Sequence, residues 1–177
     1  THDQCIYHRL IIPSNTQNKA RQQLVSLMNL FHDQKAVIAF TWLAGSLLKV
    51  FTGFWPHLII SAHSGSGKTT LIETLHHLTG VLAIEPSELE TSFRRMRILG
   101  NHLYPVLLDE CSRADHKDLA DFLNILNVSY RHALRHHGKE NVYLLAAPVA
   151  MIGQDAPDND AAFISKIIQF DLDDSKG

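Results

Sequence analysis

The sequence predicts an α/β fold, with a central parallel sheet of about five strands, helices on both faces and an N-terminal helical segment. Short apolar, β-branched runs alternate with amphipathic stretches from residue 57 onward, which is typical of a parallel sheet covered on both faces. Apolar residues make up 45% and charged residues 19% of the 177 residues, which suits one folded domain with a full core. We therefore expect an N-terminal extension and helix over residues 1–35 and the α/β core over residues 36–177.

Local patterns predict the helices. Apolar residues at helical spacing indicate a first helix over residues 19–32, and an apolar segment that stops at Thr52-Gly53 indicates a largely buried second helix over residues 34–50. Ser87, with Glu90 three residues later, predicts a capping box at the start of another helix. The helices predicted in the core are 68–78, 87–98, 116–134 and 161–165.

Apolar runs bounded by turn residues predict the strands. The predicted strands are 58–61, 81–84, 104–108 and 167–172. Residues 142–154 are extended and apolar with Pro148 inside, so they form either one kinked strand or two pieces. Residues 135–141 are predicted to be a polar, basic turn.

Charge and cysteine content exclude some classes of protein. The net charge of −2 gives the chain as a whole no attraction for nucleic acid, so such binding would need a local basic patch. Cys5 and Cys111 are too few for a disulfide framework or a zinc cluster, which favours a reducing, cytoplasmic setting. The longest apolar run, residues 36–48, is shorter than the roughly 20 residues of a membrane-spanning helix. We therefore expect no membrane partner.

The segment Ala62-His63-Ser64-Gly65-Ser66-Gly67-Lys68-Thr69 has the Walker A form of a P-loop, with Ala62 where the first glycine is commonest. It lies between a predicted buried strand and an amphipathic helix, which is the context that the motif needs. Backbone N–H groups of such a loop surround phosphates at a helix N-terminus. Lys68 can reach the β- and γ-phosphates, and the Thr69 hydroxyl can ligate Mg²⁺. The predicted ligands are thus ATP and Mg²⁺, and the predicted binding residues are Ser64, Gly65, Ser66, Gly67, Lys68, Thr69 and Thr70.

A second motif is Tyr104-Pro105-Val106-Leu107-Leu108-Asp109-Glu110, a buried strand that ends in two acids, as in Walker B. Asp109 at the end of the strand is predicted to hold Mg²⁺ through water. Glu110 is predicted to act as the general base that accepts a proton from the attacking water. The pair favours hydrolysis over transfer to a small molecule, because a kinase has little use for a carboxylate that activates water.

A third candidate is Gln154, which follows the apolar run Pro148 to Ile152 and Gly153. Ligands of parallel sheets sit at the carboxyl ends of the strands. Gln154 is therefore predicted to orient the water or sense the γ-phosphate. The alternative is a polar turn residue without a role.

Together these motifs resemble the ATPase core of AAA+ proteins, and more narrowly superfamily-three helicases and the primase-helicases of phages, plasmids and mobile elements. The resemblance covers about residues 36–172. It implies a P-loop NTPase fold and ATP hydrolysis coupled to DNA binding or unwinding. It also implies a homo-oligomeric ring with the nucleotide at a subunit boundary and single-stranded DNA in the central pore.

A group of basic residues lies just before the strand that leads to Gln154. In helicases of this type a hairpin in this region contacts DNA phosphates, and Gly138 could form its tip. The alternative is a solvated helix C-terminus, where basic residues favour the helix dipole. The residues implied in nucleic-acid contact are Arg131, Arg135, His136, His137 and Lys139.

The family also uses an arginine finger from a neighbouring subunit, often near the start of the last strand. This sequence has Ser165-Lys166 there, and lysine lacks the bidentate fork of arginine. Lys166 either substitutes imperfectly, or the finger lies elsewhere, with Arg94, Arg95 and Arg97 as candidates.

The sequence is compatible with two functions. The first is a DNA-linked motor, such as a helicase or primase-helicase core. The second is a signalling or defence switch, in which the nucleotide state controls assembly without DNA unwinding.

Overall fold

The computed structural model describes residues 14–30, 34–80, 83–137, 141–154 and 161–172. Contacts within the chain divide it into two units, residues 1–32 and 33–177. The described part of the first unit is one helix, α1 (Ser14–Leu30), which begins earlier than the sequence pattern predicts. Among the described residues, no helix has both the length and the apolar character that crossing a bilayer requires.

The second unit is an α/β domain, as predicted. Its helices are α2 (Gln34–Ser46), α3 (Lys49–Thr52), α4 (Lys68–Thr79), α5 (Ser92–Leu99), α6 (His116–Ser129) and α7 (Ala161–Ile164). Its strands are β1 (His57–Ala62), β2 (Val106–Leu108), β3 (Ala133–His137), β4 (Asn141–Leu145), β5 (Val149–Gly153) and β6 (Ile167–Leu172).

Four parallel strands form the central sheet, in the order β2-β5-β1-β6. All six residues of β1 and all five of β5 are buried, which requires cover on both faces of the sheet. The core cluster includes Ile59 of β1, Leu108 of β2 and Met151 of β5, and it continues into Leu99 of α5 and Phe122 of α6.

The described sheet has four strands where the sequence predicts about five. At the predicted strand 81–84, residues 81 and 82 lie outside the described residues, and Ile84 makes a single parallel bridge to Leu108. Its N–H donates to Leu107 O at 2.7 Å, and its carbonyl accepts from Asp109 N at 3.2 Å. Pro86 then begins a 3₁₀ turn, Pro86–Leu89, and has no N–H with which to continue a ladder.

Three helix predictions were wrong in their bounds. The predicted helix 34–50 is divided, with α2 ending at Ser46 and α3 beginning at Lys49. The predicted helix 87–98 begins only at Ser92, because Thr91, in an extended conformation, is the residue that caps it. Its Oγ1 accepts from the Arg94 N–H at 3.2 Å, so the predicted capping box at Ser87 does not start this helix.

The predicted helix 116–134 also ends early, at Ser129. The last carbonyls of a helix have no intrahelical donor. In α6 these carbonyls accept hydrogen bonds from donors in distant segments of the chain. The four bonds are His57 Nε2 to Leu126 O at 3.1 Å, Lys166 Nζ to Asn127 O at 3.2 Å, Lys49 Nζ to Ser129 O at 2.7 Å, and Trp55 N to Tyr130 O at 2.9 Å. These contacts close the helix without a glycine.

After α6 the chain forms an antiparallel hairpin of β3 and β4, with Arg135 opposite Tyr143 and His137 opposite Asn141. The predicted basic turn over 135–141 was therefore wrong at residues 135–137 and 141, which are strand. Residues 138–140 lie outside the described residues. The extended region 142–154 is two pieces, β4 and β5, with Pro148 between them.

Candidate functional site

The loop of residues 63–67 joins β1 to α4 and is mostly exposed. Gly65 and Gly67 have φ values of +91° and +85°, a left-handed conformation that side chains rarely adopt. The first amide of α4 that bonds within the helix is Leu71 N, which donates to Gly67 O at 2.9 Å. The earlier amides of Lys68, Thr69 and Thr70 have no intrahelical acceptor. The loop therefore presents backbone donors and a lysine at the N-terminus of a twelve-residue helix.

The position of this loop in the sheet also suits ligand binding. In the sheet, β1 lies between β5 and β6, yet the chain that leaves β1 returns first in β2, beyond β5. Open parallel sheets bind ligands at the carboxyl ends of strands where the strand order changes direction. The loop after β1 lies at such a point.

Asp109 and Glu110 follow β2 at the same carboxyl edge and are half-buried. Glu110 has φ +49° and ψ +43°, an uncommon left-handed conformation for a residue other than glycine. Its backbone N–H donates to Asp109 Oδ1 at 2.8 Å, and its carbonyl accepts from Arg113 N at 2.8 Å. The backbone turn at Glu110 is therefore held at both ends.

The two predicted motifs meet through their side chains. Lys68 Nζ lies 3.4 Å from Glu110 Oε1, and the two side chains are 13% and 27% exposed. Strand β5 lies between β1 and β2 in the sheet, so this contact spans the end of β5. Gln154, which directly follows β5 and is exposed, lies at that edge as well.

The second carboxylate oxygen of Glu110 has a different environment. Oε2 is buried and accepts no hydrogen bond from the described part of the chain. The nearest cation is Arg113, whose Nε forms an ion pair with Oε2 without the alignment of a hydrogen bond. Both carboxylate oxygens of Glu110 therefore lie against a cation. A carboxylate in such a position can accept a proton from a water held beside it.

These residues fit a nucleoside triphosphate with Mg²⁺. The loop supplies amide donors and a cation for phosphate oxygens, and Thr69 and Asp109 supply a hydroxyl and a carboxylate for the metal. Over the described ranges no three His, Cys, Asp or Glu side chains group as a metal site.

The basic residues before β5 lie on and beside the hairpin. Arg135 and His136 are exposed on β3, and His137 is the last residue of that strand. Arg131 precedes the hairpin, is exposed, and lies 5.3 Å from the centre of the Tyr130 ring. Lys139, with Gly138, lies outside the described residues. The solvated helix C-terminus considered as an alternative is not what the chain forms here.

Three of the finger candidates, Lys166, Arg95 and Arg94, have partners within the chain. Lys166 donates to Asn127 O and also contacts Asn127 Oδ1, with its ammonium 5.2 Å from the Tyr130 ring centre. Arg95 is buried and pairs with two carboxylates of α6, Asp118 and Asp121, at 3.2 and 3.3 Å. Arg94 is exposed and pairs with Glu90 at 3.4 Å. The positive charges of Lys166 and Arg95 are therefore engaged within the chain.

A buried polar cluster lies at the other end of β1. His57 accepts from Val149 N at 3.2 Å through Nδ1, while Nε2 donates to Leu126 O, so both ring nitrogens are engaged in the neutral form. Burial, aided by the charge of Lys49 and opposed by the Leu126 bond, lowers the pKa of His57 to about 3. Burial likewise lowers the pKa of Lys49 to about 8. Sequence patterns did not identify this cluster, because its members come from four separate segments.

The chain matched no protein-family model, and a search of curated proteins returned no match.

Proposed function

We propose that this chain is an ATPase core of the P-loop type that hydrolyses ATP bound with Mg²⁺. The single observation that carries the proposal is the contact of 3.4 Å between Lys68 Nζ and Glu110 Oε1. It brings a glycine loop at a helix N-terminus and an acid pair to one edge of a parallel sheet, which is the combination that phosphate binding and water activation require.

Each residue has a role in this chemistry. The amides of residues 65–70 bind the phosphates, and Lys68 neutralises the charge on the β- and γ-phosphates. Thr69 and Asp109 would hold Mg²⁺, which supplies charge stabilisation on the phosphate oxygens. Glu110 accepts the proton of the attacking water through its carboxylate, and Gln154 orients that water.

The first test is ATP turnover in two variants. Lys68→Ala should reduce turnover by about a hundredfold or more, because the main cation on the transferred phosphate is lost. Glu110→Gln should reduce turnover comparably while retaining ATP binding, because it removes only the base. Lys117→Ala, an exposed lysine on α6, is the control and should behave as wild type. Full turnover in Glu110→Gln would remove that residue from the mechanism.

We further propose that ATP hydrolysis is coupled to single-stranded DNA, through the hairpin of β3 and β4, in a homo-oligomeric ring. The support is that Arg135 and His136 are exposed on β3, close in sequence to Arg131, while the chain as a whole carries a net charge of −2. A local basic element on an otherwise acidic chain can attract phosphates in a salt-dependent way.

One observation favours the second candidate, a switch ATPase whose nucleotide state controls assembly. Leu134, Val142 and Leu144 on the same hairpin are 67%, 48% and 39% exposed. Exposed apolar side chains beside basic ones are also typical of protein contacts.

Charge reversal separates these two candidates. In the DNA-linked ATPase, Arg135→Glu should weaken binding of a single-stranded oligonucleotide and abolish its stimulation of turnover. Lys117→Glu, with the same charge change on α6, should alter neither. If DNA neither binds nor stimulates the wild-type chain, while ATP changes its solution mass, the switch is the correct function.

A further inference from the structure

Glu110 forms two ion pairs in this structure, one at each carboxylate oxygen. Lys68 lies at Oε1, and Arg113 pairs with Oε2. Over the described ranges these are the ion pairs of Glu110. The two cations differ in exposure, since the Lys68 side chain is 13% exposed and that of Arg113 is 76% exposed.

A bound triphosphate would affect these two ion pairs differently. Its charge competes directly for Lys68, so the ammonium moves from Glu110 Oε1 to the phosphate oxygens. Glu110 then loses its partner on that side and is repelled by the γ-phosphate, although hydrolysis requires its carboxylate to remain close to the phosphate.

Arg113 is arranged to remain with Glu110 through this change. The Arg113 N–H donates to the Glu110 carbonyl at 2.8 Å, and the 3₁₀ turn Cys111–Arg113 is fixed by buried Cys111, whose carbonyl accepts from Ala114 N at 3.1 Å. The backbone that carries the carboxylate therefore also carries the guanidinium. Lys68 lies on a separate element, α4, 42 residues before Glu110 in the sequence.

We propose that Arg113 is a positioning residue, which retains and neutralises the Glu110 carboxylate when the γ-phosphate draws Lys68 away. This role rests on the proposed ATPase function. Because exposed ion pairs contribute little to folding, the loss of Arg113 should leave the fold intact and affect the site alone.

A double-mutant cycle on nucleotide affinity tests this role. The probes are ADP and a non-hydrolysable ATP analogue, each with Mg²⁺, measured by calorimetry in wild type, Arg113→Met, Glu110→Gln and the double variant. Arg113→Met should weaken analogue binding roughly three- to tenfold in the wild-type background, and less than about twofold in the Glu110→Gln background, where no carboxylate needs neutralising. ADP, without a γ-phosphate, should show a smaller effect.

Turnover provides a second readout. Arg113→Met should lower kcat by about tenfold, with thermal unfolding unchanged, and Arg113→Lys should restore most of the loss because it restores the charge. Lys117→Met is the matched control and should leave affinity and kcat as in wild type.

The outcomes are distinguishable. Equal losses of affinity in both backgrounds, equal losses for ADP and the analogue, or no loss at all would contradict the role of Arg113. If the wild-type chain binds neither nucleotide, the proposed ATPase function itself fails, and the role of Arg113 fails with it.

Discussion

His57 makes the folded chain sensitive to acid. Its ring is fully buried and hydrogen-bonded at both nitrogens, and the bond from Val149 N to Nδ1 requires an unprotonated nitrogen. Protonation would break this bond and place a charge beside Lys49, without access to water. The pKa of His57 is accordingly lowered to about 3, first by burial and then by the charge of Lys49.

The direction of the effect follows from these values. The unfolded chain binds a proton at His57 below its ordinary pKa of 6.5, whereas the folded chain does so only near 3. The stabilisation is thus complete above about pH 6.5 and is lost as the pH falls toward 3, at about 1.4 kcal/mol per pH unit. Between about pH 7 and pH 5, this one group should lower the free energy of unfolding by about 2 kcal/mol.

The assay is urea unfolding at constant ionic strength over that pH range. His57→Gln cannot titrate, and its amide can still donate to Leu126, so its unfolding free energy should lack the decrease of about 2 kcal/mol. His116→Gln changes an exposed histidine at the start of α6 and should retain the full decrease of the wild type. An equal decrease in wild type and His57→Gln would refute the assignment of the acid sensitivity to His57.

Two further predictions concern buried cations. Arg95→Met should lower the free energy of unfolding by about 2 kcal/mol in urea, because it leaves Leu89 O and two carboxylates without their donor; a loss below about 0.5 kcal/mol would contradict the structural role of Arg95. Burial lowers the pKa of Lys49 from 10.5 to about 8. Between about pH 8 and pH 10.5 the unfolded chain therefore binds one proton more than the folded chain, and the free energy of unfolding should rise with pH over this range. The rise attributable to Lys49 is about 3 kcal/mol, and Lys49→Met should lack it in alkaline unfolding curves; a wild-type rise retained in that variant would contradict the burial of the charge.

Local sequence was sufficient where neighbouring residues decide the structure. The bounds of β6 match the prediction, and those of β1 and α4 match it within one residue at each end. Gly65 and Gly67 adopt the left-handed conformations that their loop needs, a property of the glycines themselves. The assignment of this loop and the acids at 109 and 110 to ATP and Mg²⁺ stays a prediction.

The end of α6 illustrates what local sequence could not provide. Residues 130–134 continue a plausible helical pattern, but the helix stops because Lys49, Trp55, His57 and Lys166 bind its terminal carbonyls. Three of these residues lie about 70 to 80 positions earlier in the chain, and the fourth follows later, so no sequence window contains them. The strand that begins at residue 133 follows from this early end.

By itself, the sequence determined the type of fold, the glycine loop with its helix, and the two acids that end a buried strand. Only the tertiary structure decided that Lys68 meets Glu110, that Arg95 and Lys166 are engaged within the chain, and that the basic residues lie on a hairpin. The physical reason is that conformation along a segment depends on residues a few positions apart, whereas pairing between charges depends on which strands lie side by side, and that order is set by burial across the whole domain.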